Sequence, residues 1–441
     1  MKKKGISYFL MAAFFAACIL GLAGCSQKKT AEQNSTENKI VTIEFSYPPY
    51  GYDSQKEDAF WKKYIAEFEK ENPNIKVNFT VESWDNVYTK WDGYFASGDT
   101  PDIGYADGVQ GVEYGVQGKA LPLTDVIDAL GGEEVFTKDS KAFQTNGVWY
   151  SIPNCVAAPV LAYRKDLLKA AGFSEPPKTW DELVSMSKKL TKDGVYGLGM
   201  FTGENLLTQQ IMVGFMKAAG GRVLDEKGNV VVNCPENLEA LKFMTDLAKV
   251  HKVVPPSAVD WKYGDDVNVL GTGKVAMDIM WGGYGTLLES MFPNDYQNIG
   301  FVTMPVGPSG HSGSFTGSGG FFLFNKAEHP KEAKEFIKFM SREEISKEWC
   351  KISGNVSPFK SIANDPELMK MEWYKAVSQQ SDTAVELGFD YGFVPGLDIL
   401  HTQYRYSRTV GDVLLRNMTP EEALKTLHDD CIAAIEKAKK Q

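Results

Sequence analysis

Val41-Thr42-Ile43-Glu44-Phe45, then Ile75-Lys76-Val77-Asn78-Phe79-Thr80-Val81, then Asp102-Ile103-Gly104-Tyr105-Ala106 are the three runs that decide the fold class. In the first two, apolar residues alternate with polar ones, the period-2 signal of a strand. Between them Phe60, Trp61, Tyr64, Ile65 and Phe68 recur at helical spacing, and Ser54 with Glu57 reads as a Ser-x-x-Glu capping box opening that helix. Glu71-Asn72-Pro73-Asn74 stops it. Tyr88, Trp91 and Phe95 mark a second helix, and Gly98-Asp99-Thr100-Pro101 turns the chain into the third strand. A βαβαβ order of this kind predicts a mainly parallel sheet with helices on both faces and ligands at the carboxyl ends of its strands.

The same alternation continues downstream. Thr179-Trp180-Asp181-Glu182 reads as another capping box, with Leu183, Met186 and Leu190 on one face. Val275 to Met280 and Ile299 to Val302 read as strands. Thr419-Pro420-Glu421-Glu422 opens a last helix whose stripe is Leu424, Leu427, Cys431 and Ile435. No internal repeat and no second low-complexity linker interrupts the order, so lobes would be joined by crossing strands.

The chain has 441 residues, 43% hydrophobic and 24% charged, and begins with a basic segment, Lys2-Lys3-Lys4, before an uncharged apolar run from Tyr8 to Leu22. That run has the shape of a secretory leader and falls short of the roughly 20 residues of a spanning helix. Leu22-Ala23-Gly24-Cys25 resembles the bacterial lipobox, in which Cys25 is lipidated and becomes the mature N-terminus. Residues 26–39 hold Ser, Gln, Lys, Thr, Ala, Glu and Asn, too polar to bury a core, and would act as a leash spanning on the order of 20 Å. Two acyl chains on Cys25 would anchor it stably where one would not.

Removing residues 1–24 leaves 417, more than one hydrophobic core accommodates, so two or more lobes are expected. The formal charge moves from −10 to −13, which argues against nucleic acid and against docking on anionic lipid by charge. Cys155, Cys234, Cys350 and Cys431 are widely spaced, with no Cys-x-x-Cys zinc pattern; disulfides and buried thiols both remain open for them. No metal or cofactor is expected.

Several ordered segments resemble the family 1 extracellular solute-binding proteins, the sugar receptors of ABC importers. They are Phe68 to Val77, Ala96 to Ile103, Tyr163-Arg164-Lys165-Asp166-Leu167-Leu168-Lys169-Ala170-Ala171-Gly172-Phe173 continuing through Pro176 to Leu183, Gly273-Lys274-Val275-Ala276-Met277 leading to Trp281, and Gly319 to Phe324 before a helix from Pro330 to Met340. The resemblance implies a two-lobed α/β fold of the periplasmic-binding-protein type, class II, with the ligand in the interlobe cleft. It further implies chain crossings near Cys155 to Pro159, near Thr303 to Pro305 and after Asn355, hence one lobe from 40–157 with 304–355 and another from 158–303 with 356–441. The partners it implies are a small carbohydrate and the permease subunits of an ABC transporter, at the extracytoplasmic face of a cell membrane, with the receptor a monomer.

A sugar offers apolar ring faces and a rim of hydroxyls, so its site needs flat aromatic platforms and paired polar groups. Loops at the predicted strand ends supply them. After the first strand come Tyr47, Tyr50 and Tyr52 in a Pro-stiffened turn, after the second Glu82, Ser83 and Trp84, and after the third Asp107. Trp281-Gly282-Gly283-Tyr284 follows a later strand, with glycines that let backbone approach a ligand. The candidate ligand residues are thus Tyr47, Tyr50, Glu82, Trp84, Asp107, Asn154, Trp281, Gly282, Tyr284, Ser318 and Tyr391, with Cys25 for lipid and none for catalysis. Each aromatic could equally lid a core, and each acid could cap a helix or face water.

Other functions leave weaker traces. Acid pairs such as Asp265-Asp266 and Asp429-Asp430 raise a glycan-degrading lipoprotein enzyme, although neighbouring carboxylates usually face water and a glycosidase is defined by a spatial separation. Gly-x-Ser-x-Gly and His-Glu-x-x-His are absent, and Gly271-Thr272-Gly273-Lys274 fails as a phosphate loop because Asn268 and Val275 stand where Gly and Ser or Thr are required. A glycerol-phosphate ester would want cations beside aromatics, which Arg405 and Arg408 near Tyr404 and Tyr406 keep open. Polyamines, a metal complex, and an adhesin or sensor role without an importer complete the alternatives.

Overall fold

The alternation read at Val41 becomes β1 (Val41–Tyr47), with Ile43, Phe45 and Tyr47 turned into the core. A computed structural model describes residues 39–51, 53–84, 86–386 and 394–440. Helix Ser54–Glu71 packs Phe60, Trp61, Tyr64 and Phe68 inward and returns the chain to β2 (Ile75–Val81), which pairs parallel to β1 over all seven residues. Helix Val87–Ser97 leads to β3 (Ile103–Asp107), parallel to β1 on its other edge. β4 (Ser151–Cys155) belongs to the same sheet, whereas β5 (Pro159–Arg164) starts a second one with β6 (Met277–Trp281) and β7 (Ile299–Val302). β8 (Gly319–Leu323) inserts antiparallel between β3 and β4 to complete a five-stranded sheet of order β2-β1-β3-β8-β4.

The parallel expectation holds for β1, β2 and β3 and fails in the second sheet, where β5 runs antiparallel to both β6 and β7. The physical reason is connectivity: β5 enters directly from the first sheet, and its neighbours arrive much later along the chain. Two single-residue parallel bridges, Tyr196 to Val275 and Gly199 to Asp278, add the 196–199 segment outside β6. The helix from Pro330 to Met340 is found as read, and Thr419 and Glu422 form the full reciprocal capping box.

The first helix is capped differently from the reading. Asp53 takes the cap, accepting from the amides of Gln55 and Lys56, while Glu57 turns inward and is buried. Of the acid pair Asp265-Asp266, expected in water, Asp266 is likewise fully buried. Asp429 and Asp430 pair with Lys425 and Arg405. Cys155, Cys234, Cys350 and Cys431 are all free thiols.

Aromatic packing carries each half. In the first, Phe45 meets Trp61, Phe79, Phe321 and Phe336 with ring centroids 5.3–5.9 Å apart; in the second, Trp180 stacks on Phe243 at 3.9 Å. Tilted and edge-on contacts of this kind add roughly 0.5–1.5 kcal/mol per pair beyond area burial. The chain leaves the first sheet after Cys155. Residues 304–315 pack with the second sheet's half: Val306 bridges Thr179, Ser309 donates to the Ala218 carbonyl, and Ser314–Phe315 pair with Ala384–Val385. This polar, Gly-rich segment lies along the helix Leu206–Ala219. Val156, just past β4, pairs with Val356 through an antiparallel backbone bridge.

Candidate functional site

Three strands of the first sheet, β1, β2 and β3, end at one edge, and the loops after them converge. The loop after β1 is held by the buried Glu57, whose carboxylate accepts from the Tyr47 hydroxyl, from the Tyr50 amide at 3.0 Å and from the Gly51 amide at 2.9 Å. Burial pushes the Glu57 carboxyl up, and those donors partly pull it back. So held, the loop projects Tyr50, whose hydroxyl donates to Asp107 Oδ1 at 2.6 Å at the end of β3. Its ring sits edge-on to Trp84 and Tyr105, with centroids 5.1 and 4.8 Å away. Trp84 Nε1 donates to the Pro49 carbonyl at 2.6 Å, which fixes the indole against the same loop.

Asp107 also faces Tyr88, whose hydroxyl lies 3.4 Å from Oδ2. Burial raises the carboxyl, opposed by hydrogen bonds from the two tyrosines. Burial first and the Asp107 charge second push both phenols well above their ordinary value, so they remain donors. Glu82 is tied to Lys90 at 2.7 Å and to the Ser46 hydroxyl at 3.2 Å.

Tyr50, Glu82, Trp84 and Asp107 line one side of a cavity of about 360 Å³; Trp281, Gln210, Leu206 and Tyr263 reach it from the second sheet's half. Trp281 ends β6, and a Cβ at Gly317 would lie 2.5 Å from its ring, so the crossing segment needs glycine there for the indole to fit. Gly319 plays the same part for the Tyr50 and Tyr105 rings, at 2.6 and 2.8 Å. Gln210 is 4% exposed, and its Oε1 takes no hydrogen bond among the described residues, an acceptor beside Leu206 and the rings of Tyr263 and Trp281.

A second cavity of about 500 Å³ shares Trp84, Leu206 and Tyr263 with the first and continues past Tyr88, Phe201, Trp261 and Tyr404. Both lie within the roughly 300–1,000 Å³ of small-molecule sites. Among the described residues lining the two, Lys262 is the one cation, against Glu82, Asp107 and Glu204.

Of the candidates read from sequence, Tyr50, Glu82, Trp84, Asp107 and Trp281 come together here, with Ser83 beside them. Five do not reach the cleft. Tyr47 is a core residue, 1% exposed, packed on Trp61 at 4.8 Å and bonded to Glu57, because it falls on the inward face of β1. Asn154 is buried and accepts from the Tyr105 hydroxyl at 2.8 Å. Gly282 abuts Val377 and gives its amide to the Ala158 carbonyl. Tyr284 is buried at the start of the helix Tyr284–Met291. Ser318 is buried against Thr316 at 3.0 Å while its carbonyl accepts from Gly108. Tyr391, Tyr52 and Cys25 lie outside the described residues. Arg405 pairs with Asp430, and Arg408 is exposed; neither lines the two cavities.

The missed residues are Leu206, Gln210, Trp261, Tyr263 and Tyr404. Trp261-Lys262-Tyr263 before Gly264 carried a usable signal, two aromatics in a Gly-ended turn; Leu206 and Gln210, in a helix buried almost all round, carried none. Among the described residues no group of three or more His, Cys, Asp or Glu is placed to hold a metal ion.

Comparison with known proteins places this arrangement. The sequence profile of the bacterial extracellular solute-binding proteins matches residues 52–347. A putative ABC transporter periplasmic-binding protein of Escherichia coli, YcjN, is 28% identical over 79% of this chain and 77% of its own. The galactooligosaccharide-binding protein of Bacillus subtilis is 27% identical over 86% of both chains. Among solved structures, maltose-bound MalE3 of T. maritima superposes with a TM-score of 0.77 at 26% identity, covering 89% of this chain and 99% of that one.

If the two halves grip one solute, Trp281→Ala should weaken glycan binding in calorimetry by about tenfold or more, roughly 1.4 kcal/mol, in a protein that also unfolds at a lower temperature because the indole is 6% exposed. Unchanged affinity would remove Trp281 from the site.

Proposed function

The chain belongs to the bacterial extracellular solute-binding proteins, and from that premise we propose that it is a lipid-anchored receptor holding an oligosaccharide between two lobes for delivery to an ABC importer. The observation that carries the carbohydrate reading is the cleft itself: Tyr50 and Trp84 on one side, Trp281 and Tyr263 on the other, with Asp107 and Gln210 among the rings. Ring faces take the apolar sides of a sugar, and carboxylate and amide groups take its hydroxyls. The continuation lined by Tyr88, Trp261 and Tyr404 favours more than one sugar unit. Relatives whose names specify galactooligosaccharide and maltose support the same class. Lys262 as the one cation among the described lining residues disfavours a phosphate ester.

Binding, and no chemistry, is the role proposed. We take the lobes as 40–157 with 319–355 and 158–315 with 356–441, so that three links cross between them. Closure is then a hinge motion driven by contacts that only the closed form makes. Anchoring through Cys25 at the extracytoplasmic face keeps the receptor near its permease. A Cys25→Ala protein should leave the membrane fraction, and one that stays there would contradict the anchor.

A thermal-shift screen of the protein lacking residues 1–24 tests the solute class, with mono- and oligosaccharides against polyamines and glycerol-phosphate esters. At 100 times its dissociation constant a true ligand adds roughly 2.7 kcal/mol. A shift with oligosaccharides is expected. A shift with polyamines alone would overturn the reading, and release of product sugars would favour an enzyme.

A further inference from the structure

Asp266 and Asp278 are both fully buried, and none of their four carboxyl oxygens takes a hydrogen bond among the described residues. Asp266 is the second residue of the helix Asp265–Gly271, and Asp278 sits in β6, three residues before Trp281. Backbone closes over Asp278: the Gly199 amide donates to Met277, the Ile279 amide donates to Gly199, and a Cβ at Gly199 would lie 2.2 Å from Asp278 Oδ2. Asp266 lines a void of about 10 Å³ whose other walls include Phe201, Ile211, Ile279 and Trp281. The surroundings are apolar.

Two ionised carboxylates here would each lack a countercharge, a cost of several kcal/mol apiece and comparable to a typical domain's whole stability. The charged groups of the packed elements are engaged elsewhere. Arg164 of β5 bonds Asp166 and the carbonyls of Leu270 and Gly271, with Asp295 at 3.7 Å. Glu204, before the helix Leu206–Ala219, bonds Arg416. Lys262 and Lys274 are exposed, and Asp265, which accepts from the Lys262 amide, adds negative charge. Burial raises both carboxyls, and the charge of Asp266 raises Asp278 further. Helix N-terminal amides partly offset this at Asp266.

We propose that the Asp266–Asp278 pair retains a proton at neutral pH and that losing it loosens the strand carrying Trp281, making this wall of the cleft sensitive to alkali. The consequence for solute rests on the reading of Trp281 above; the effect on stability does not. The sign follows from linkage. Unfolded aspartates lose their protons near pH 4, and the native pair keeps one, so stability falls as pH rises from there until the pair ionises. The unfolding constant rises by up to about tenfold per pH unit for each proton retained.

The test is thermal unfolding of the full-length chain, of Asp278→Asn and of Asp266→Asn, from about pH 5 to about pH 9, the span between ordinary and strongly buried carboxyls. Glu57 and Asp107 titrate in all three, so differences between proteins report the pair. Wild type should lose stability toward alkaline pH more steeply than Asp278→Asn, in which only the burial of Asp266 still raises a carboxyl, and its Met277–Trp281 amides should lose hydrogen-exchange protection there while those of Asp278→Asn keep it. Equal pH slopes in all three would overturn the proposal. Alkaline stability restored by an added divalent cation in wild type alone would also overturn it, by assigning the pair to metal. Should Asp278→Asn fail to fold, Asp266→Asn and the infrared band of a protonated carboxyl persisting at neutral pH in wild type carry the decision, and loss of that band counts against it.

Discussion

A single buried carboxylate, Glu57, ties the first sheet to the cleft. It draws in the Tyr47 hydroxyl and the amides of Tyr50 and Gly51, so the loop after β1 has one conformation instead of many. From that loop follow the Tyr50 bond to Asp107, the seat of Trp84 on the Pro49 carbonyl and one whole wall of the cavity. A buried charge held by several donors is strongly favoured over one left alone. Without it Tyr50 would have to be fixed by packing alone, and preorganisation of the wall would be lost.

Much of the fold was legible because burial leaves a period. β1 and β2 alternate, the helix after β1 shows a stripe that packs as read, and Pro330 and Thr419 open helices where their chemistry predicts. What was illegible depends on partners distant in sequence. Ser54 and Glu57 have capping-box spacing, yet Asp53 takes the cap, since Glu57 has better partners in a loop that spacing cannot reveal. Asp265 and Asp266 look alike on paper; the helix leaves one half-buried on the Lys262 amide and buries the other fully. The antiparallel second sheet was hidden for the same reason, because β5 meets β6 and β7 only after more than a hundred intervening residues.

The site divides in a similar way. Residues at or just past a strand's carboxyl end, Tyr50, Trp84, Asp107 and Trp281, were singled out by a topological rule about where such sheets hold ligands, and they line one cavity. Helix and turn residues that complete the second wall, Leu206, Gln210 and Tyr263, obey no such rule. Tyr47 and Tyr284 show the converse hazard: an aromatic near a strand end is a platform only if its side of the chain faces the gap, and both face the core. The two walls stand against different sheets, and an antiparallel backbone bridge pairs Val156 with Val356. A cleft assembled in this way is suited to grip a solute by moving its walls.

Small-angle scattering of the receptor with and without a saturating oligosaccharide that calorimetry shows to bind tests that central claim. The bound form should have the smaller radius of gyration, as the walls carrying Tyr50 and Trp281 close on the solute. An identical radius in both states, with binding established, would contradict it.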